Sequence, residues 1–125
     1  MSGIDVESAV RTFMTACGQG EDHGKHVVDL RLALIEEEYE ELLEAIRWGD
    51  PVFVAKEGAD LVYVVVGTLI AMGIPFNEVF AALQASNMTK VGPNGQVTKR
   101  DDGKILKGED FKPAEEMIKT ILEQK

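Results

Sequence analysis

Six glutamates crowd the thirteen residues LIEEEYEELLEAI, Leu34 to Ile46, and a second acidic pair, Glu57 and Asp60, follows in the stretch EGAD. Carboxylates at this density either solvate a helix face or bind hard cations and move protons, and helical phase separates the two. At roughly 100° per residue, Glu37, Glu38 and Glu41 share a sector with Leu30, Leu34, Ala45 and Trp48. Ile35, Tyr39, Leu42, Leu43 and Ile46 form a second apolar sector, and Asp29, Glu36, Glu40 and Arg47 take the solvated remainder, with Glu44 at the border. Unpaired carboxylates drawn into a core cost several kcal/mol each unless a cation meets them. The inner glutamates therefore call for one.

Glu57 and Asp60 lie three apart, on a helical face with Val64, Thr68 and Ala71, in a segment that is otherwise apolar. If the two helices form an antiparallel hairpin turning at Gly49, Glu41 and Glu57 stand eight residues on either side of the turn, and Glu38 and Asp60 eleven. Two rungs of carboxylates, about 5 Å apart along the axis, would then face each other. Oxygen ligands without thiol or imidazole select Mg²⁺ or Mn²⁺ and leave positions open for water and phosphate oxygens. One ion or two fit this many ligands. Two other readings compete: inter-helix salt bridges from the acids to Arg31, Lys56 or a partner chain, and a di-iron bundle. The latter wants Glu-x-x-His elements, whereas His23 and His26 both precede the acids.

The elements that must hold these residues are legible too. The 125 residues, 45% hydrophobic and 28% charged, suit one globular domain spanning 1–125. A net charge of −9 opposes binding to nucleic acid or an anionic membrane. Cys17 is the only cysteine, which excludes a disulfide framework, and MSGIDVESAV lacks the basic and apolar regions of a signal peptide, so a cytoplasmic protein is expected. Apolar spacing predicts helices over Asp5 to Ala16 and Val27 to Trp48. WGDP then breaks the chain, and a third helix runs from Val52 to Met72. Its stretch LVYVVVGTLIAMGI, Leu61 to Ile74, is shorter than the roughly 20 residues of a membrane span and reads as a buried helix. A fourth helix starts near Pro75 and a short fifth near Pro113, with Asn94-Gly95 and Asp102-Gly103 marking turns of a loop or small hairpin between them. The expected fold is all-α: a four- to five-helix bundle with an antiparallel central pair. Two apolar sectors on the second helix exceed what one small core needs, which points to an oligomer.

EEYEE, EGAD, DLVYVVVGTLIAMGI, SNMTKV and DGKILKGEDFKPA together resemble the MazG-like all-α nucleotide pyrophosphohydrolases, in the small branch that includes dimeric dUTPase-like and phosphoribosyl-ATP pyrophosphohydrolase-like enzymes. The resemblance covers nearly everything after Leu30. It implies Glu38, Glu41, Glu57 and Asp60 as metal ligands, and Glu37 as a further ligand or the base that orients the attacking water, with Glu37 and Glu38 the catalytic pair. The implied reaction is Mg²⁺-dependent cleavage of a nucleoside triphosphate, such as dUTP or another deoxy or non-canonical nucleotide, between its α and β phosphates. The implied assembly is a homodimer or homotetramer. Phosphoribosyl-ATP is the alternative substrate, and a non-catalytic helical oligomer the rival of another class.

Lys90, Arg100, Lys104 and Lys107 concentrate after the fourth helix in an otherwise acidic chain, so this loop is expected to close over the phosphates. Asn87 suits a base edge or sugar hydroxyl, or else caps the fourth helix. Tyr63 and Trp48 are stacking surfaces or core, and His26 reaches the nucleotide or stays at the surface.

Overall fold

The computed structural model describes residues 3–124. Five α-helices account for the regular structure: α1 (Val6–Ala16), α2 (Lys25–Trp48), α3 (Pro51–Ala71), α4 (Phe76–Met88) and α5 (Glu115–Glu123). No strand forms among the described residues beyond an isolated antiparallel bridge between Lys99 and Ile105. The chain forms two compact units, one through Phe76 and one from Asn77.

In the first unit, α3 packs against both α1 and α2. The turn between α2 and α3 is written in three consecutive residues. Gly49 adopts φ 79°, the left-handed conformation that ends a helix, and donates its N–H to the Ala45 carbonyl. Asp50 accepts the Val52 N–H at 2.9 Å as N-cap, and Pro51 occupies the first helical position, where its missing N–H costs nothing. α1 is capped likewise, with Asp5 accepting from the Ser8 N–H at 3.1 Å. The register is close to symmetric about Gly49: Arg31 lies against Gly67, eighteen residues to either side, and Leu42 against Gly58, seven and nine residues from it.

A small core of Val10, Met14, Val66, Ile70 and Ala71 joins α1 to the C-terminal half of α3, with Val27 and Phe76 packed on it. The Asp22 N–H donates to the Ala71 carbonyl at 2.9 Å, tying the α1–α2 loop to the end of α3, and the Phe76 N–H donates to Glu7 at 2.6 Å. The burial expected of α3 is only partly realised. Val52, Phe53 and Val62 are exposed, as are Leu30 and Trp48 from the apolar sector of α2. Amphipathic phase requires an apolar sector to be covered but does not say by what. Among the described residues no single helix is long and apolar enough to cross a membrane.

In the second unit, Ser86 and Thr89 hold the return segment. The Ser86 hydroxyl donates to the Lys112 carbonyl at 2.6 Å, and the Lys112 N–H donates to the Thr89 hydroxyl at 2.8 Å. Between them the chain makes the two anticipated turns, with Gly95 at φ 73° and Gly103 at φ 93°.

Candidate metal centre

The capped turn fixes the phase at which α2 and α3 meet, and that phase brings carboxylates together. Glu38, Glu41 and Glu57 each offer an oxygen within 4.8 Å of the others. Glu38 and Glu57 are half-buried, Glu41 exposed. One oxygen of Glu38 and one of Glu57 are fully buried with no hydrogen-bond partner, the costliest state for an anionic oxygen.

A proton partly relieves the crowding. Hydrogen bonding with Glu57, then desolvation, then the charges of Glu38, Glu57 and Glu37 push the Glu41 carboxyl up to about 7. Near neutrality Glu41 is therefore drawn toward its neutral form, which eases the crowding without satisfying the buried oxygens of Glu38 and Glu57. Three convergent carboxylates with orphaned buried oxygens and no nitrogen or sulfur donor fit a hard divalent cation.

Glu37 is exposed and close enough to raise Glu41 by its charge. It lines a concavity of about 400 Å³ with Glu36, Glu40, Glu41 and Glu44. A larger concavity of about 550 Å³ opens beside Glu41 and Glu57, walled by Trp48 and Phe53. Trp48, one of the two aromatics considered for stacking, thus borders the acids.

Asp60 stands apart from the group of three. The expected second rung with Glu38 gives way to an ion pair along α3, where the Lys56 ammonium lies 2.6 Å from Asp60 and 3.6 Å from Glu57. Asp60 first, by hydrogen bond and charge, and then Glu57 hold Lys56 above its usual value. Lys56 thus pairs with acids of its own helix and not across the helix interface, as the inter-helix salt-bridge alternative required, and Arg31 forms no ion pair among the described residues.

The remaining residues expected to touch substrate are dispersed. Tyr63 meets Phe13 edge-on, ring centroids 5.8 Å apart, and His26 is exposed. In the second unit, Asn87 is exposed within the last turn of α4, and its backbone carbonyl accepts the Lys90 N–H. The ammonium groups of Lys90 and Lys107 sit 5.9 and 5.1 Å from the Phe111 ring centroid. Arg100 is clamped by Asp102 at 3.0 and 2.6 Å, and Lys104 donates its backbone N–H to the same carboxylate. Phe111, Ser86 and Thr89 carry no signal of such roles in the sequence. Their partners lie more than twenty residues off or across a loop, where no periodicity reports them.

The sequence profile of phosphoribosyl-ATP pyrophosphohydrolase matches residues 15–87, more than half of the chain and all of α2 and α3. Comparison with curated proteins returns no match. The match and the carboxylate geometry describe the same hairpin from independent directions. The rival reading as a non-catalytic module falls with it, because this family, part of the MazG-like all-α nucleotide pyrophosphohydrolases, consists of metal-dependent enzymes. The chain belongs to the phosphoribosyl-ATP pyrophosphohydrolase family and is a pyrophosphohydrolase.

Proposed function

We propose that the chain hydrolyses a nucleoside triphosphate between its α and β phosphates, releasing the monophosphate and pyrophosphate, with Mg²⁺ or Mn²⁺ held by Glu38, Glu41 and Glu57. The observation that carries the reading is the convergence of those three carboxylates within 4.8 Å, two of them with buried oxygens that nothing in the fold satisfies. When bound, the cation supplies the positive charge that an acidic protein lacks against polyphosphate and makes water a better nucleophile near neutral pH.

The chain's own groups divide the remaining work. Glu37, exposed at the edge of the cluster, serves as the base that orients the attacking water and takes its proton. Asp60 completes the ligand set once its oxygen leaves Lys56, an exchange that an exposed i,i+4 ion pair opposes only weakly. Trp48 and Phe53 wall the concavity beside the acids, where substrate approaches. A homodimer or homotetramer is part of the same proposal, supported by Leu32, Trp48, Val52 and Phe53, each at least 60% exposed on α2 and α3. Light scattering measures it directly.

A second reading, phosphoribosyl-ATP as substrate, is favoured by the family description. The deciding experiment assays canonical, deoxy and modified nucleoside triphosphates beside phosphoribosyl-ATP with Mg²⁺ and Mn²⁺, reading pyrophosphate. Release from free nucleotides supports the first reading, and release from phosphoribosyl-ATP alone replaces it with the second. No release from any of them would end both.

A further inference from the structure

Among the described residues Arg31 is the one charged residue that the fold buries, with 9% of its surface exposed. No acidic group among the described residues pairs with it. Its Nε is buried without a partner. The fold nevertheless makes room for it: a Cβ on Gly67 would lie 2.8 Å from Nη1 and 3.4 Å from Cζ, so any larger residue at that point of α3 would shift the guanidinium. Burial alone pulls the guanidinium below its usual value, yet an arginine stays charged. A seated, charged, unpartnered donor calls for a ligand.

Two cavities adjoin it, of about 140 and 150 Å³, and Met14, Gln19 and Arg31 line both. The first also contains Asp22, whose carboxylate accepts from Gly24 and would repel an anion. The second is walled by the edge-to-face pair of Phe13 and Tyr63 and by Leu34 and Val64, a slot for a flat, uncharged ring. Leu34 lies one helical turn from Glu38, and Val64 one turn from Asp60, on the faces that carry the acids. Arg31 itself is seven residues from Glu38, about 10 Å along the helix. That is the order of the reach from a nucleobase to its first phosphates.

We infer that Arg31 determines base specificity: in the cavity walled by Phe13 and Tyr63 its guanidinium donates to two adjacent acceptors of the substrate's base, guanine O6 and N7 or cytosine O2 and N3. This rests on the nucleotide reading of the acidic site. A guanidinium has donors only, and adenine offers no adjacent pair of acceptors: N1 and N7 each adjoin the amino donor and N3 stands alone, so one arm is left unmet.

The test measures binding of guanosine, cytidine and adenosine to the metal-free protein by calorimetry, for the wild type, Arg31→Met and Arg31→Lys. Guanosine and cytidine should bind roughly 5- to 150-fold more tightly than adenosine, the range of one bidentate contact. Both variants should lose that margin while their thermal shift with Mn²⁺ persists. Arg31→Met should melt no lower than the wild type, since it removes an unpaired buried charge. Equal or tighter binding of adenosine by the wild type, or a margin that survives in Arg31→Met, would overturn the inference. Should Arg31→Met fail to fold, Gly67→Ala, which displaces the guanidinium, must lose the margin instead. Should neither fold, the wild-type ranking decides alone. A protein that ranks nucleosides as stated but hydrolyses no triphosphate would sink the proposed reaction and leave the role of Arg31 standing.

Discussion

The acidic hairpin of α2 and α3 and the basic segment that follows α4 treat charge in opposite ways. In the hairpin, like charges are pressed together and two buried oxygens go unsatisfied. In the segment, charges find partners close by: Arg100 is clamped by Asp102, and Lys90 and Lys107 share the face of Phe111. Arg100 and Asp102 stabilise each other's charged form, whereas Glu41 is driven toward its neutral form. A structure that is satisfied locally has no further demand to make. A cluster left in debt by its own fold has one, and that asymmetry separates a site from a charged surface.

The sharpest way to break this contrast is to remove a carboxylate. Glu57→Gln should lower metal-dependent pyrophosphate release at least about 100-fold and abolish the Mn²⁺ thermal shift, because the other two acids can no longer close around an ion. A variant that kept both would show the cluster to be mere crowding. Restoring the cation should have the converse effect. Titrated to 100 times its dissociation constant, Mn²⁺ should stabilise the wild type by about 2.7 kcal/mol through mass action, read as a rise in melting temperature.

The pH dependence of the metal-free protein sharpens the contrast further. An unfolded glutamate ionises near 4.5, while Glu41 in the fold holds its proton to about 7. Between those values the native state binds more protons than the unfolded one, so stability should fall as pH rises from about 4.5 to about 7 and level off above. Melting temperatures across that window measure it. Glu41→Gln should flatten the curve, and an unchanged slope would show that the proton resides elsewhere.

These tests also mark how far the sequence could be read. The capping residues Gly49, Asp50 and Pro51 set the hairpin, and helical phase about that turn brought Glu38, Glu41 and Glu57 into one group before any coordinates. Phase could not place Asp60, because Lys56 shares its face one turn away and competes for the same oxygen. Nor could it show that Arg31 forms no ion pair among the described residues. Its seat depends on Gly67, a missing side chain on another helix, and an absence carries no periodicity. The exposure of Trp48 and Phe53 escaped for a related reason, since hydrophobicity asks for cover without naming its source.

The smallest effects should come from the basic segment, and they test the contrast from its other side. Arg100→Met removes an exposed pair closed over two residues, and exposed pairs of this kind stabilise little. Asp102 is held below its usual value first by Arg100 and then by the Lys104 N–H, so its contribution is present above the ordinary carboxylate range and is lost only as pH falls through the lowered value. The variant should therefore melt within a degree or two of the wild type at neutral pH, and differ less at acid pH, where Asp102 is protonated in both. Its rate of pyrophosphate release should stay within a few-fold of the wild type, because Asp102 already satisfies the guanidinium. A loss as deep as that of Glu57→Gln would instead mean that Arg100 exchanges Asp102 for substrate, and local satisfaction would then fail as a guide to which charges this protein uses.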